Sequence, residues 1–197
     1  RSNDKKIYLH NIFIFGFSNL VNAEDGKFKF GIELGWIPIE IEAEKTAQSI
    51  ANASGSTVLV EYDTGAFIGR AFGKYGIVSN LGIEVGYFQT SGAGATYKIG
   101  TDSASESYDI HGLDFSAVFK SLDGFFGKIG LYSSTIDGAA NLTIGGTSYS
   151  ATASKTGTGA LIGAGIDVGT IKYAFTHYAD VGGIDTSISF FSVGFLF

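Results

Sequence analysis

The sequence predicts an all-β fold, an eight-stranded antiparallel up-and-down barrel, and three observations lead to it. Apolar residues recur at every second position over short runs, glycine is abundant, and short connections alternate with long ones. A period of two is typical of a strand whose two faces meet different surroundings, whereas a helix repeats its apolar residues less often. The 29 glycines beside a single proline indicate sheet with tight turns.

The alternation is clearest in the first strand. From Phe28 to Trp36 the even positions are apolar, and the odd positions between them hold lysine, glycine and glutamate. Seven further runs behave in the same way and bring the number of predicted strands to eight. They contain residues 58–62, 81–87, 113–119, 129–131, 160–166, 171–175 and 191–197.

The connections differ in length in a regular way. Residues 73–76, 121–124 and 169–170 are rich in Gly and Asp and are predicted to be tight turns. Residues 42–56, 90–107, 137–155 and 179–186 are rich in Ser, Thr, Ala and Gly and are predicted to be long solvated loops. Short turns at one end and long loops at the other are typical of a membrane-spanning barrel. An even number of strands places both ends of the barrel at the short-turn side.

Residue size predicts which face of the sheet points outward. The residues between the apolar ones are mostly glycine with isolated charges, which suits the narrow lumen of eight strands, so the apolar set is predicted to face lipid. Aromatic residues near the strand ends predict two girdles at the membrane surfaces. They are Phe28, Phe72, Tyr75, Phe119, Phe125 and Phe197 near the short turns, and Trp36, Tyr62 and Tyr87 near the long loops. A soluble lipocalin-like barrel remains the alternative.

The first 23 residues read as a short remnant followed by a signal peptide. Lys5 and Lys6 precede an apolar run, and Val21-Asn22-Ala23 has the small residues of a cleavage site. Polar residues interrupt the run, so a membrane-spanning helix is the weaker alternative. The predicted domains are therefore 1–23, removed on export, and 24–197, the barrel.

The composition and the histidines point away from several functions. The chain has no cysteine, which excludes disulfides and thiolate sites, and its basic residues are scattered in a chain of net charge −6, so no nucleic-acid partner is expected. His111 near Asp109 and Asp114, and His177 near Asp180, are interpreted as polar residues at the base of loops rather than as acid-base pairs. No catalytic residue, cofactor or metal site is predicted.

The inward charges are predicted to form an ion network in the lumen. A lone charge in a narrow lumen would be costly, so acids and bases should pair there, with Lys128 as the central partner. The network either plugs the lumen or, through its excess of acids, supports a narrow cation-preferring path. Its predicted members are Lys29, Glu33, Glu61, Asp63, Glu84, Asp114, Lys128, Asp167 and Lys172.

The last part of the chain carries a family resemblance. The segment 158–167 and the final strand, in which Phe197 follows the alternation of Phe191, Val193 and Phe195, resemble the closing hairpins of small OmpA-type and opacity-type outer-membrane barrels. The resemblance implies a place in the bacterial outer membrane, contact with its lipids, and assembly by the barrel-assembly machinery, with Phe197 as the assembly signal.

These observations favour a non-enzymatic outer-membrane barrel with a structural or surface-interaction role, in which long loops bind an extracellular ligand. Two alternatives stay open. One is a narrow, porin-like channel for small solutes. The other is an outer-membrane enzyme that acts on lipid A or peptides.

Overall fold

The computed structural model describes residues 26–37, 59–62, 66–121, 123–183 and 186–197. The predicted signal peptide and the predicted loop 42–56 lie outside these residues. No helix of the described residues is long and apolar enough to cross a membrane. The strands are β1 Phe28–Ile37, β2 Leu59–Tyr62, β3 Ala66–Val78, β4 Leu81–Thr90, β5 Ala93–Ile99, β6 Asp102–Lys120, β7 Phe125–Ile144, β8 Thr147–Val168, β9 Ile171–Tyr178 and β10 Ile188–Leu196.

Eight of these strands close into a ring. Its order is β1, β3, β4, β6, β7, β8, β9 and β10, each antiparallel to the next. The ring closes where β10 pairs with β1, which brings Phe195 opposite Ile32. The prediction of an eight-stranded antiparallel up-and-down barrel is confirmed.

The remaining strands extend the wall above one part of the ring. β5 pairs with the first residues of β6, and β2 pairs with β5. We call β2, β5, residues 102–110 of β6, 134–144 of β7 and 147–157 of β8 the loop-side sheet. β7 and β8 run into it without a change of register, from Phe125 opposite Ile166 to Ile144 opposite Thr147. The tight turn at Gly145 and Gly146, with φ of 55° and 81°, joins them.

The predicted long loops are therefore corrected. Most of the segments 90–107 and 137–155 is strand, paired with neighbouring strands. The alternation in these segments was hidden because they are rich in Ser and Thr. The segment 179–186 does form a connection, and it contains a short 3₁₀ helix, Val181–Gly183.

The opposite side carries the tight turns. Connections at 121–124 and 169–170 are confirmed, whereas residues 73–76 lie inside β3 and the turn there is at 79–80. The backbone N–H of Phe197 donates to the carbonyl of Phe30 at 2.8 Å, so β1 begins and β10 ends at this side, as predicted.

β3 replaces the predicted second strand, 58–62, in the ring. Its sequence hid it, because large apolar residues such as Ile68 and Phe72 point inward while Gly69 and Gly73 point outward. The period-two contrast on which the prediction depends is therefore weak in this strand. Phe72, predicted in a girdle, is buried in the lumen.

The outer wall of the ring is apolar. Leu34 is 71% exposed and Ile129 is 59% exposed, whereas the intervening residues Glu33 and Lys128 are buried. Trp36 lies opposite Phe67 and Phe191 at the loop side. Exposed aromatic residues also line the turn side, namely Phe28, Tyr75, Phe119, Phe125 and Phe197. The side chain of Tyr62 lies outside the described part.

Candidate functional sites in the lumen and the loop-side sheet

Side chains occupy the lumen in four successive layers, and β3 contributes to each of them. Ile68, Arg70, Phe72 and Lys74 follow one another along its inward face from the loop side to the turn side. From the loop side to the turn side the layers are therefore uncharged, charged, uncharged and charged, and aromatic rings occur in both uncharged layers.

The layer nearest the loops is a cluster of aromatic rings, which we call the aromatic layer. Phe88 and Tyr132 pack against Tyr178 with ring centroids at 4.7 and 4.9 Å, and Phe190 stacks on Tyr178 at 5.8 Å. Val181, from the short 3₁₀ helix, is fully buried against it. Edge and offset contacts of this kind fix rings in place, so the aromatic layer is a packed core within the barrel.

The next layer, the charge layer, holds three acids and three bases. Arg70 is at its centre: Nε and Nη2 donate to Asp114 at 2.8 and 2.6 Å, and Nη2 lies 2.7 Å from Glu84. Lys172 lies 2.8 Å from Glu33 and 3.0 Å from Glu84. The remaining member, Lys128, lies 3.8 Å from Glu84. Each of the six groups lies within 3.8 Å of an opposite charge, so the buried charges of this layer are paired.

Glycines on the inner wall make room for these long side chains. A Cβ at Gly86 would lie 2.6 Å from the Arg70 guanidinium, and one at Gly163 would lie 2.7 Å from the Lys128 side chain. The abundance of glycine among inward positions thus has a steric cause.

The charge layer is tied to its neighbours. Above it, the Tyr178 hydroxyl donates to Asp114 at 2.9 Å. Below it, the Lys172 ammonium lies 4.3 Å from the ring centroid of Phe72 and 4.8 Å from that of Phe126, within range of cation–π attraction. Beyond these rings Asp167 pairs with Lys120 at 2.9 Å and lies 3.8 Å from Lys74.

The structure brings together only part of the predicted network. Glu33, Glu84, Asp114, Lys128 and Lys172 meet in the charge layer, and Asp167 lies in the turn-side group. Lys29 is exposed near the turn side, opposite Lys74 in the ladder, and Asp63 lies outside the described residues.

Two predictions about this network are corrected. Glu61 belongs to β2 in the loop-side sheet, where its exposed side chain pairs with Lys98 at 2.9 Å. The centre of the layer is Arg70, which lies near Glu33, Glu84 and Asp114, and not Lys128. Sequence reasoning missed Arg70 together with β3, and an isolated arginine among glycines and apolar residues was the signal available.

The expected excess of acids in the lumen is also wrong. The described inward charges comprise four acids and five bases once Arg70, Lys74 and Lys120 are included. The premise for a cation-preferring path therefore does not hold.

The two described histidines lie outside the lumen. His111 Nδ1 is 3.6 Å from Asp137 on the outer face of the loop-side sheet, with both side chains well exposed. His177 Nδ1 hydrogen-bonds the Ser189 hydroxyl at 2.8 Å, across the β9–β10 ladder near the outward-facing rings of Phe175 and Phe191. The separation of 12 positions between His177 and Ser189 in the sequence concealed this pair. Among the described residues no group of three potential metal ligands occurs.

The loop-side sheet has two unlike faces. Cross-strand pairs place Tyr108 opposite Gly138 and Leu142 opposite Tyr149 on the inner face, which continues the lumen wall. Serine and threonine dominate the outer face, at positions such as Ser105, Thr143 and Ser148.

One carboxylate joins two phenols on the inner face. Glu106 accepts hydrogen bonds from Tyr97 at 3.1 Å and from Tyr108 at 2.9 Å. Partial burial, together with Glu106, raises the pKa of Tyr108 above its ordinary value.

Comparisons with known proteins give a limited result. No family model matches the chain, and no curated protein sequence matches it. Similar solved structures include Ail, the attachment invasion locus protein of Yersinia pestis, at 11% identity and a TM-score of 0.49, covering 88% of this chain and 99% of that one. The outer membrane protein OprG from Pseudomonas aeruginosa is 9% identical, with a TM-score of 0.47 and coverage of 88% and 96%.

A third similar structure is the N-terminal β-barrel domain of OprF from Pseudomonas aeruginosa, at 14% identity, a TM-score of 0.36 and coverage of 88% and 100%. At such values the fold assignment rests on the closed strand ring itself. The solved structures similar to the chain are small outer-membrane barrels, the kind of protein that its sequence resembles.

Proposed function

We propose that the chain is an integral protein of the bacterial outer membrane whose function lies in the loop-side sheet, and that its barrel neither conducts solutes nor catalyses a reaction. One observation carries the proposal: side chains fill the lumen in four layers, while three strands of the wall continue past it. Residues 134–144 of β7 alone span roughly 35 Å at the rise of a strand.

The outer wall supports the membrane location. Exposed apolar side chains would be costly in water, and on β1 they run from Phe28 to Trp36, close to the span of about ten residues that a tilted strand needs to cross the hydrocarbon. Outer-membrane lipids are then the natural partners of this surface. Phe197, 74% exposed and held in the ladder to Phe30, is proposed as the signal for the assembly machinery.

The filled lumen argues against the channel alternative. A hydrated ion would have to pass the packed rings of Phe88, Tyr132 and Tyr178 and then displace a charge layer whose members already bind one another. Breaking these contacts costs more free energy than the solvation of an ion in a narrow path recovers.

The enzyme alternative has one observation in its favour, the pair of His177 and Ser189. A serine nucleophile also needs a group that orients the histidine and donors that stabilise an oxyanion. In the described part of the chain the pair has neither, so we interpret it as a hydrogen bond between strands at the membrane surface.

A labelling experiment tests the orientation, and the absence of cysteine makes each label specific. Ser150→Cys lies in the loop-side sheet and Thr170→Cys in a tight turn. On intact cells of a Gram-negative host, a membrane-impermeant maleimide should label the first variant only. Labelling of Thr170→Cys before the membrane is disrupted would overturn the proposed orientation. Mass spectrometry of the same protein tests removal of residues 1–23.

Two assays separate the alternatives. We expect no discrete conductance from the purified barrel in a planar bilayer, and discrete conductance steps would favour the channel function instead. Incubation with lipid A and with peptides should yield no product. Product that disappears in Ser189→Ala would establish the enzyme instead.

A further inference from the structure

Within the described residues, one long edge of the loop-side sheet is open. β8 pairs with β7 along residues 147–166, but β9 covers its other edge only from Leu161 onward. Among the described residues the earlier part of β8 therefore has one free edge, whose backbone donors and acceptors have no strand partner. The turn at Val181–Gly183 approaches this edge only near its base, where Lys155 Nζ donates to the carbonyl of Gly183 at 3.1 Å.

The hydrogen-bond pattern shows which backbone groups face the open edge. The carbonyl of Ala160 accepts from the N–H of Ala179 at 2.9 Å, so Ala160 points its backbone groups toward the β9 side. Because N–H and C=O of one residue share a side and alternate along a strand, the even residues of β8 face the free edge and the odd residues bond to β7. The free groups therefore belong to Ser148, Ser150, Thr152 and Ser154.

This edge lacks the usual protection. Folded proteins commonly guard free edges with charges, prolines or bulges. Residues 148–154 contain no charge and no proline, and the β7–β8 ladder has no register shift. Such an edge is a template on which an extended chain can add as a further strand.

The charge of the surrounding sheet indicates what kind of chain fits. Five carboxylates and two ammonium groups lie on the loop-side sheet, an excess of three negative charges. They are Glu61, Asp102, Glu106, Asp109 and Asp137 against Lys98 and Lys155. A basic segment is attracted to this field, whereas a sulfated glycan is repelled.

A second copy in the same membrane does not fit the edge. Two barrels related by a two-fold axis along the membrane normal would present the same edge of parallel strands to each other. Donors would then oppose donors and carbonyls would oppose carbonyls, so no ladder forms.

We infer that β8 of the loop-side sheet binds a basic, extended polypeptide segment of a partner protein by strand addition along residues 148–154. This inference rests on the proposed function and specifies its partner class. Main-chain hydrogen bonds supply the affinity, and the acidic field of the sheet selects for lysine and arginine.

The test uses the full barrel in nanodiscs of zwitterionic lipid and the peptide acetyl-(Lys-Val)₄-amide, with (Glu-Val)₄ as its matched control. The basic peptide should bind at least about tenfold more tightly. On binding, the amides of Ser150, Thr152 and Ser154 should become protected from hydrogen exchange. Those of Ala151 and Ala153, which already bond to β7, should change little.

A pair of variants tests the contribution of one backbone N–H at the open edge. Thr152→Pro removes an N–H at the open edge and leaves the β7 ladder intact, so it should weaken binding about tenfold or more. Thr152→Val keeps the N–H and should bind as the parent does. The heat-shifted band on a gel checks that both variants fold.

Several results would overturn the inference. They are equal binding of both peptides, no binding of either, no protection of the even-numbered amides, or preference for a sulfated oligosaccharide over the basic peptide. If Thr152→Pro does not fold, exchange protection in the parent protein decides alone. Correct cysteine labelling with failed peptide binding would refute this inference and leave the proposed function standing.

Discussion

The barrel part and the loop-side part of β7 form one continuous strand, but their apolar side chains point to opposite faces of the sheet. In the barrel, Ile129 points outward and Lys128 inward, whereas in the loop-side sheet Ile136 points inward and Thr135 outward. No insertion or bulge separates the halves, because the ladder to β8 stays in register throughout. In the proposed membrane location the surroundings alone reverse the pattern: lipid takes the apolar face of the barrel part, and water takes the polar face of the loop-side sheet.

Neighbouring strands change in the same way. On β6, Phe115 points outward while Tyr108 lies on the inner face, and on β8, Ile162 points outward while Tyr149 lies on the inner face. In the proposed location, this change in the phase of the alternation marks where each strand leaves the membrane. That boundary can be found without a structure once the strands are known.

The largest effect should come from the centre of the charge layer. Arg70→Met removes the main partner of Asp114 and one of the partners of Glu84 and of Glu33. Breaking a buried ion cluster costs about 3–5 kcal/mol in free energy of unfolding. Urea unfolding in lipid vesicles, followed by the fluorescence of Trp36, measures it, since the chain has a single tryptophan.

The matched control for Arg70→Met is Lys98→Met, which breaks the exposed pair with Glu61 in the loop-side sheet. It should cost less than about 1 kcal/mol. Equal effects of the two variants would contradict the distinction between a buried and an exposed ion pair.

The next largest effect tests the reversal of faces on β7. Ile129→Lys puts a charge on the lipid-facing wall and should cost about 2–4 kcal/mol, as lysine near a bilayer midplane does. Thr143→Lys, on the same side of the same strand but in the loop-side sheet, should change the free energy of unfolding by less than about 0.5 kcal/mol. The same unfolding assay applies. A large cost at Thr143 would place the membrane boundary higher than we propose.

A smaller loss of stability is expected when alanine replaces a glycine on the inner face of the barrel wall rather than on its outer face. Gly86→Ala places a Cβ 2.6 Å from the Arg70 guanidinium and should destabilise by about 1–3 kcal/mol, the usual cost of overpacking. Gly69→Ala is the control, because the nearest atom to its Cβ is a Leu34 methyl at 3.9 Å. A neutral Gly86→Ala would mean that Arg70 has room to move.

The smallest effect concerns Tyr108. Burial and the Glu106 carboxylate raise its pKa, so Glu106→Gln should lower the pKa of Tyr108 toward its ordinary value. The raised pKa implies a stabilising contribution that is complete below the ordinary tyrosine pKa and is lost as pH rises through the folded value. Ultraviolet titration of phenolate, taken as the difference from Tyr108→Phe, checks it; an unchanged pKa in Glu106→Gln would contradict the assignment.

The fold was predictable because most strands of the barrel have one face of large apolar residues and one face of small or charged residues. The prediction failed at β3, where Phe72 and Ile68 point inward and Gly69 and Gly73 point outward, so that neither face was uniform. The loop-side sheet was missed for a related reason, since alanine, serine and threonine give little contrast between faces.

A residue of the lumen site could be predicted only where the strand that carries it was predicted. Glu33, Glu84, Asp114, Lys128 and Lys172 follow from alternation, whereas Arg70 was hidden with β3. Glu61 was placed in the lumen because its strand was assigned to the ring. The contact of His177 with Ser189 depends on the register between β9 and β10, which sequence alone does not fix.

The unbroken ladder between β7 and β8 also has a mechanical consequence. A pull on the tip at Gly145 and Gly146 runs along both strands, while the hydrogen bonds of the ladder lie across that direction. Because both strands are pulled together, the hydrogen bonds from β7 to β6 and from β8 to β9 bear the load in shear and pass it to the rest of the wall. Force applied to this hairpin would therefore be carried by the whole barrel wall rather than by its two strands alone.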